Sequence, residues 1–161
     1  MRAPAGWSLR DGDVTARCGP WRPPSPKRMI HPVPKGNGGL IRVVIADDEA
    51  DARLLVRLSF ELDPRFEVAG EASNGREALD VLTASGADAV VLDLHMPQMH
   101  GLESLPLIRK QFPRVAIVLF SAYLTGAARL TAVRLGADDA MEKTVAPRQL
   151  VERMARLFAA A

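Results

Sequence analysis

Apolar and polar positions change period repeatedly along the chain from residue 40 onward. Leu40 to Ala46 is a β-branched apolar run cut off by Asp47-Asp48-Glu49, as a buried parallel strand ends at a solvated edge. Beyond it Ala52, Leu55, Val56 and Phe60, with Leu58 and Leu62 beside them, recur at helical spacing until Asp63-Pro64 stops them. Phe66 to Gly70 predicts a second strand, and a helix through Ala78, Leu79, Val81 and Leu82 follows, opened by Ser73-Asn74-Gly75 and closed by Gly86. The third pair is Ala89 to Leu92, ending in Asp93, and a helix over Gly101 to Phe112. Pro106 removes a backbone bond from that helix and predicts a kink unless it falls within the first turn. Val115 to Phe120 is the fourth and most apolar strand, ending at Ser121, and its helix runs from Thr125 to Leu135 before Gly136. A weak fifth strand over Asp138 to Glu142 reaches Lys143. Pro147 then opens a last amphipathic helix through Leu150, Val151, Met154, Leu157 and Phe158.

Five strand-helix units in succession predict a doubly wound α/β domain, a parallel sheet with helices on both faces, because parallel neighbours need long right-handed crossovers. In such sheets ligands bind beyond the carboxyl ends of the strands. The residues that stop the strands are Asp47 and Asp48, Asp93, Ser121 and Lys143, and one edge gathers them all. Two like charges about 4 Å apart repel by about 4 kcal/mol at an effective dielectric near 20, so clustered carboxylates call for a cation. Carboxylate oxygens with waters and a carbonyl suit Mg2+, which keeps positions open for phosphate oxygens. Lys143 then reads as a point-charge phosphate binder, Ser121 as a hydroxyl donor and Asp93 as a nucleophile able to form an acyl phosphate. Metal and lysine would spread the charge of a loose phosphoryl-transfer transition state. Taken singly, such acids also serve as turn formers, and Asp48 or Glu49 could cap the helix that follows. Turn chemistry does not readily explain their joint placement at four strand ends.

Composition adds limits. The 161 residues, 48% hydrophobic and 25% charged, suit one domain of ordinary size with an appendage. The longest apolar run, Val115 to Phe120, is far short of the roughly 20 residues of a membrane span, so membrane insertion is not expected. The start has no apolar stretch of the secretory kind, and Cys18 has no partner for a disulfide or a zinc site. A reducing cytoplasm is the expected compartment. The net charge of +2 divides unevenly. Residues 1–39 hold seven Lys/Arg against two Asp/Glu, with seven of the twelve prolines and six of the twelve glycines, whereas residues 40–161 carry a net −3. Residues 1–39 therefore read as a disordered basic extension, in which Trp7 and Trp21 lack a core. Nucleic-acid contact through this arm is a rival reading, and the negative domain argues against it.

On these residues the chain resembles the receiver domain of bacterial two-component response regulators. Asp47-Asp48-Glu49, Asp93-Leu94-His95-Met96-Pro97-Gln98-Met99-His100-Gly101 as a D-x-x-M-P-x-x-x-G segment, Ser121-Ala122 and Lys143 occur in order over residues 40 to 160. The stretch Arg42 to Leu82 looks most like receivers that carry a LuxR-type helix-turn-helix output domain, and no such output domain is expected here. The resemblance implies a flavodoxin-like strand order 2-1-3-4-5 and a receiver domain over 40–161. It implies that Asp93 accepts a phosphoryl group from a histidine kinase or histidine phosphotransfer protein. Asp47, Asp48 and Asp93 with the backbone carbonyl of His95 would hold Mg2+, the direct carboxylate being Asp48, and Ser121 and Lys143 would bind the phosphoryl oxygens. His95 and Tyr123 fall where such domains vary the lifetime of the acyl phosphate; the His95 and His100 rings otherwise read as solvated loop groups, and His31 belongs to the basic extension.

Two departures bear on readout. Receivers usually place Tyr or Phe three residues before the lysine, where it swings inward as the hydroxyl residue moves, and here Ala140 occupies that place. The usual proline after the lysine is Thr144. The expectation is a single-domain response regulator, not an enzyme in its own right, in which the fourth helix, fifth strand and fifth helix signal to a protein partner. The rivals are a phosphorylation-independent binding module, the receiver fragment of a DNA-binding regulator, and a metal-dependent phosphatase, for which adjacent Asp47-Asp48 lack the D-x-D spacing. Homodimerisation is left open.

Overall fold

The computed structural model describes residues 39–159. The basic extension expected over residues 1–39 lies outside the described residues, Gly39 excepted. Five strands and five helices alternate: β1 (Ile41–Ala46), α1 (Ala50–Glu61), β2 (Phe66–Ala72), α2 (Gly75–Ser85), β3 (Ala89–Leu92), α3 (Gly101–Gln111), β4 (Ala116–Ser121), α4 (Gly126–Leu135), β5 (Asp139–Glu142) and α5 (Pro147–Phe158). The strands form one parallel sheet in the order β2-β1-β3-β4-β5, the doubly wound, flavodoxin-like arrangement expected.

Successive side chains of a strand point to opposite faces, so each central strand feeds two cores. Val44, Val90, Leu92, Ile117 and Leu119 pack with Leu79, Leu82, Leu105, Ile108 and Ala132 of α2, α3 and α4. Val43, Ile45, Val91, Val118 and Phe120 pack with Val56 and Phe60 of α1 and Leu150, Val151 and Met154 of α5. Strands buried on both sides explain why β1, β3 and β4 read as continuous apolar runs. At about 25 cal/mol per Å2 of apolar surface removed from water, these two layers supply the main favourable term of folding.

Local chemistry sets the helix ends. The Asn74 side chain accepts the Glu77 N–H at the start of α2, and the Thr125 hydroxyl accepts the Ala128 N–H at the start of α4. Gly86 and Gly136 end the same helices at φ +61° and +112°, a conformation open to glycine and costly for other residues. Pro147 opens α5 where its missing N–H has no helical partner to lose.

Two expectations are refined. β2 runs on to Ala72, because its register with β1 shifts after Val43 and continues through Ile45↔Glu71 and Ala46↔Ala72. Gly70 therefore does not end the strand. A Cβ there would meet Val81 Cγ1 at 2.5 Å, so the glycine lets α2 close on the sheet. Pro106 is the sixth residue of α3, past the first turn, and it stands on the exposed face of a helix that continues to Gln111.

Candidate functional site

The carboxyl ends of β1, β3, β4 and β5 converge, and their terminal side chains meet there. Asp47 and Asp93 are buried, at 3% and 5% exposure, and Asp48 is exposed beside them. One carboxylate oxygen from each of the three lies within 4.8 Å of the other two. Lys143 Nζ reaches Asp47 Oδ2 at 2.6 Å and Asp93 Oδ2 at 3.5 Å. Ser121 is fully buried, and its hydroxyl lies 3.5 Å from His95 Nδ1. Tyr123 is 77% exposed and sets its ring edge-on to His95 at 6.1 Å between centroids.

The sheet ladder fixes these groups. The Asp93 N–H donates to Ala46 C=O at 2.8 Å, the Asp47 N–H to Ala72 C=O at 3.0 Å, and the Lys143 N–H to Ser121 C=O at 2.9 Å. Side chains one residue past paired strand ends are thereby held in register. The Leu94 N–H donates to Asp93 Oδ1 at 2.7 Å, which leaves Oδ2 toward Lys143. The capping role allowed for Asp48 or Glu49 is not observed: α1 has no side-chain cap bond, and Asp47 Oδ1 accepts the Glu49 N–H at 3.0 Å.

The electrostatics are those of buried acids short of positive charge. Burial pushes the Asp47 carboxyl above its ordinary range, and the hydrogen bond and charge of Lys143 only partly oppose it, with the Asp93 charge adding to the rise. Burial alone would lower Lys143. Its hydrogen bond to Asp47 and the charges of Asp93 and Asp47 outweigh that, so its pKa lies above the usual lysine value. The ammonium neutralises part of the cluster and leaves the rest for a further cation. Three carboxylates offering hard oxygen donors fit Mg2+, and Asp47, Asp48 and Asp93 are residues that could hold it.

Two contributors carry no clear mark in the sequence. Arg53, in the first turns of α1, donates from Nη1 to Asp47 C=O at 2.6 Å and from Nε to Glu71 at 2.9 Å, fastening the Asp47-Asp48 turn to β2. Gly75, at the start of α2, donates to Met99 C=O at 3.2 Å, and a Cβ there would meet that oxygen at 2.9 Å and Ser104 Cβ at 2.8 Å. An arginine six residues after an acid has no periodic signal. Gly75 reads equally well as a plain helix opener.

The profile described as "Response regulator receiver domain" matches residues 43–155. The chain belongs to the response regulator receiver family. This receiver is 35% identical over 113 residues to the chemotaxis protein CheY of Thermotoga maritima, covering 70% of the chain and 93% of that protein. It is also 35% identical over 128 residues to a protein-glutamate methylesterase/protein-glutamine glutaminase of Rhodospirillum centenum, covering 78% of the chain. The receiver spans about a third of the length of that methylesterase, 32%. Among solved structures, the response regulator domain of Thermotoga maritima CheB superposes with a TM-score of 0.70 at 28% identity, covering 76% of this chain and 98% of that one. The signal receiver domain of the NarL response regulator of Mycobacterium tuberculosis gives 0.71 at 27%, with the same coverage. Of the expected site residues, Asp47, Asp48, Asp93, Ser121, His95 and Lys143 share the receiver's strand-end pocket, with Tyr123 at its rim. Ala140 does not join them. It is fully buried against the α2–α3–α4 side of the sheet.

Proposed function

We infer that the protein is a phosphoacceptor switch of two-component signalling, with Asp93 as the acceptor. The observation that carries this is the contact of Lys143 with both Asp47 and Asp93 in a pocket whose three carboxylates can share one cation. An Asp93 carboxylate oxygen would attack the phosphorus of a phosphohistidine on a histidine kinase or phosphotransfer protein. The P–N bond breaks, the imidazole leaves with its electron pair and takes up a proton, and a mixed anhydride remains on Asp93. Mg2+, held by Asp47, Asp48, Asp93 and the His95 carbonyl with Asp48 in direct contact, would supply charge neutralisation for the transferring phosphoryl oxygens. Lys143 would carry the remaining negative charge, and Ser121 would turn its hydroxyl from the long contact with His95 toward a phosphoryl oxygen. His95 and Tyr123, at the rim of the pocket, would set how readily water reaches the anhydride.

Movement of Ser121 would bias the neighbouring α4, β5 and α5 between two surfaces read by a protein partner in the cytoplasm. The receiver would occupy residues 40–161, preceded by a basic extension over 1–39. Alanine at 140 favours a second reading, a module whose partner binds without regard to phosphorylation. Incubation with Mg2+ and acetyl phosphate, followed by intact-mass and peptide mapping, tests the first. The expected result is one added phosphoryl group on Asp93, absent in Asp93→Asn and without Mg2+. Equal labelling of the variant would overturn it. Unchanged partner affinity after confirmed phosphorylation would favour the second reading.

A further inference from the structure

Helix α1 is apolar on two opposite sides. Val56 and Phe60 are buried in the core, while Leu54, Leu55, Leu58 and Leu62 stand exposed at 47%, 58%, 44% and 85%. Their helical spacing puts the four leucines in one stripe facing away from the sheet. Half of the large apolar side chains exposed among the described residues are in it. Such a contiguous patch marks a contact site, since a helix apolar all round is normally covered on both sides. Asp51 continues the stripe at the start of the helix, is exposed, and has no partner among the described residues.

The place where the chain enters the domain points to what covers the stripe. The Ile41 N–H donates to Arg65 C=O at 2.8 Å, so β1 begins beside the end of α1 at which Leu62 stands. Gly39, at φ +83°, turns the backbone there. Residues 1–38 precede that point and hold seven Lys/Arg against two Asp/Glu, opposite in sign to the domain. Within them Lys27, Ile30 and Val33 recur at every third residue among Pro26, Pro32 and Pro34. Prolines and the residues before them favour the polyproline helix, whose three-residue turn would set those three side chains in one row about 9 Å apart. Leu62 and Leu55 are two turns of α1 apart, about 10.5 Å, and Asp51 lies about 6 Å further on. The row matches the stripe, with the flexible lysine stem taking up the small difference in length. Six residues, 34–39, span up to about 20 Å, enough to bring the chain from the outer side of α1 to β1. A segment tethered this closely is present at about millimolar effective concentration, an advantage that a second copy or a separate protein lacks.

We propose that residues 27–33 of this chain lie along α1 in the direction of the helix, with Val33 on Leu62, Ile30 on Leu55 and Leu58, and Lys27 on Asp51. This contact is independent of the phosphoacceptor chemistry at the strand ends and needs no phosphoryl group.

Limited trypsin digestion of the full chain, read by mass spectrometry, tests it in a Lys35→Gln background that keeps the tether whole. The Arg28–Met29 bond is expected to be cut about tenfold or more slowly than in Leu58→Glu/Leu62→Glu, because cleavage follows the undocked fraction, while Arg17–Cys18 is cut alike in both. Circular dichroism checks the fold of the leucine variant. Ile30→Ser/Val33→Ser changes no residue of the domain and is expected to release the same bond, so the test stands even where the leucine changes disturb folding. Disulfide trapping identifies the occupant. With Cys18→Ser, oxidation of Val33→Cys/Leu62→Cys is expected to join the two positions within one chain, and Val33→Cys/Leu107→Cys, which reaches for α3 across the sheet, is expected to stay reduced. Arg28 cleaved as fast in the wild type as in both variants would overturn the proposal. So would a disulfide formed only between two chains, or one formed as readily to position 107 as to position 62.

Discussion

Gly101→Ala is expected to damage both stability and the pocket. The added methyl would stand 2.1 Å from the carbonyl oxygen of Asp93 and 3.0 Å from its carbonyl carbon and from Leu94 Cα. Carbon contacts are comfortable at about 3.5–4.0 Å, so the two backbone segments must separate by more than an ångström at the closest point. No rotamer change relieves this, because every atom met belongs to the main chain. The separation also strains the Gly101 N–H bond to Leu94 C=O, now 2.9 Å. Overpacking costs about 1–3 kcal/mol and a weakened hydrogen bond about 1 kcal/mol, so a loss of about 2–4 kcal/mol is expected. Urea unfolding followed by circular dichroism measures it, with Gly126→Ala as the control. Nothing lies within 4 Å of a Cβ at Gly126, the first residue of α4, and that change is expected to be neutral or stabilising by up to about 1 kcal/mol. A Gly101→Ala protein within about 0.5 kcal/mol of wild type would refute the reasoning, since it would place the loop free to retreat from Asp93. Where the variant stays folded, acetyl phosphate labelling of Asp93 is expected to slow, because the clash bears on that residue's own backbone.

Three further outcomes follow from the pocket and the sheet. Asp47→Asn is expected to raise the melting temperature without Mg2+ at neutral pH, because the native pKa of Asp47 lies above its unfolded value and ionisation opposes folding there. The advantage over wild type shrinks as pH falls through that raised pKa and is gone below about 3.8, where both states hold the proton; an advantage that grows on acidification would contradict the sign. Mg2+ at about 100 times its dissociation constant is expected to stabilise the wild type by about 2.7 kcal/mol, reversed by a chelator, and to give less in Asp48→Asn. Arg109→Met is expected to cost about 2–4 kcal/mol in urea unfolding, because it strips partners from Asp138 and three carbonyls in a mostly buried setting, and a loss under about 1 kcal/mol would show that water replaces the guanidinium.

The fold was legible because parallel strands buried on both faces must be continuously apolar, and β1, β3 and β4 are. The site was legible for a related reason: the chemistry sits where those runs stop, so Asp47, Asp93 and Ser121 are marked by the break in hydrophobicity itself. β2 was harder to bound, since Gly70 reads as a terminator in sequence and acts as a packing gap for Val81 in space. Arg53 could not be read at all. Its contact with the Asp47 carbonyl depends on how α1 lies across the end of β2, a tertiary matter without periodicity.

The guanidinium of Arg109 has a mechanical consequence. It donates to the carbonyls of Pro113, Val115 and Gly136 and to the Asp138 carboxylate, and so rivets the end of α3 to the entrances of β4 and β5, opposite the acidic pocket. The tail of α4 passes through that rivet at Gly136, while its head begins at the Thr125 cap, four residues after Ser121, with Leu124 and Ala128 resting on the core. The polar fastening of the rod thus lies at its tail, like an oar in a rowlock. A nudge at Ser121 would tilt the head about a fulcrum at Gly136.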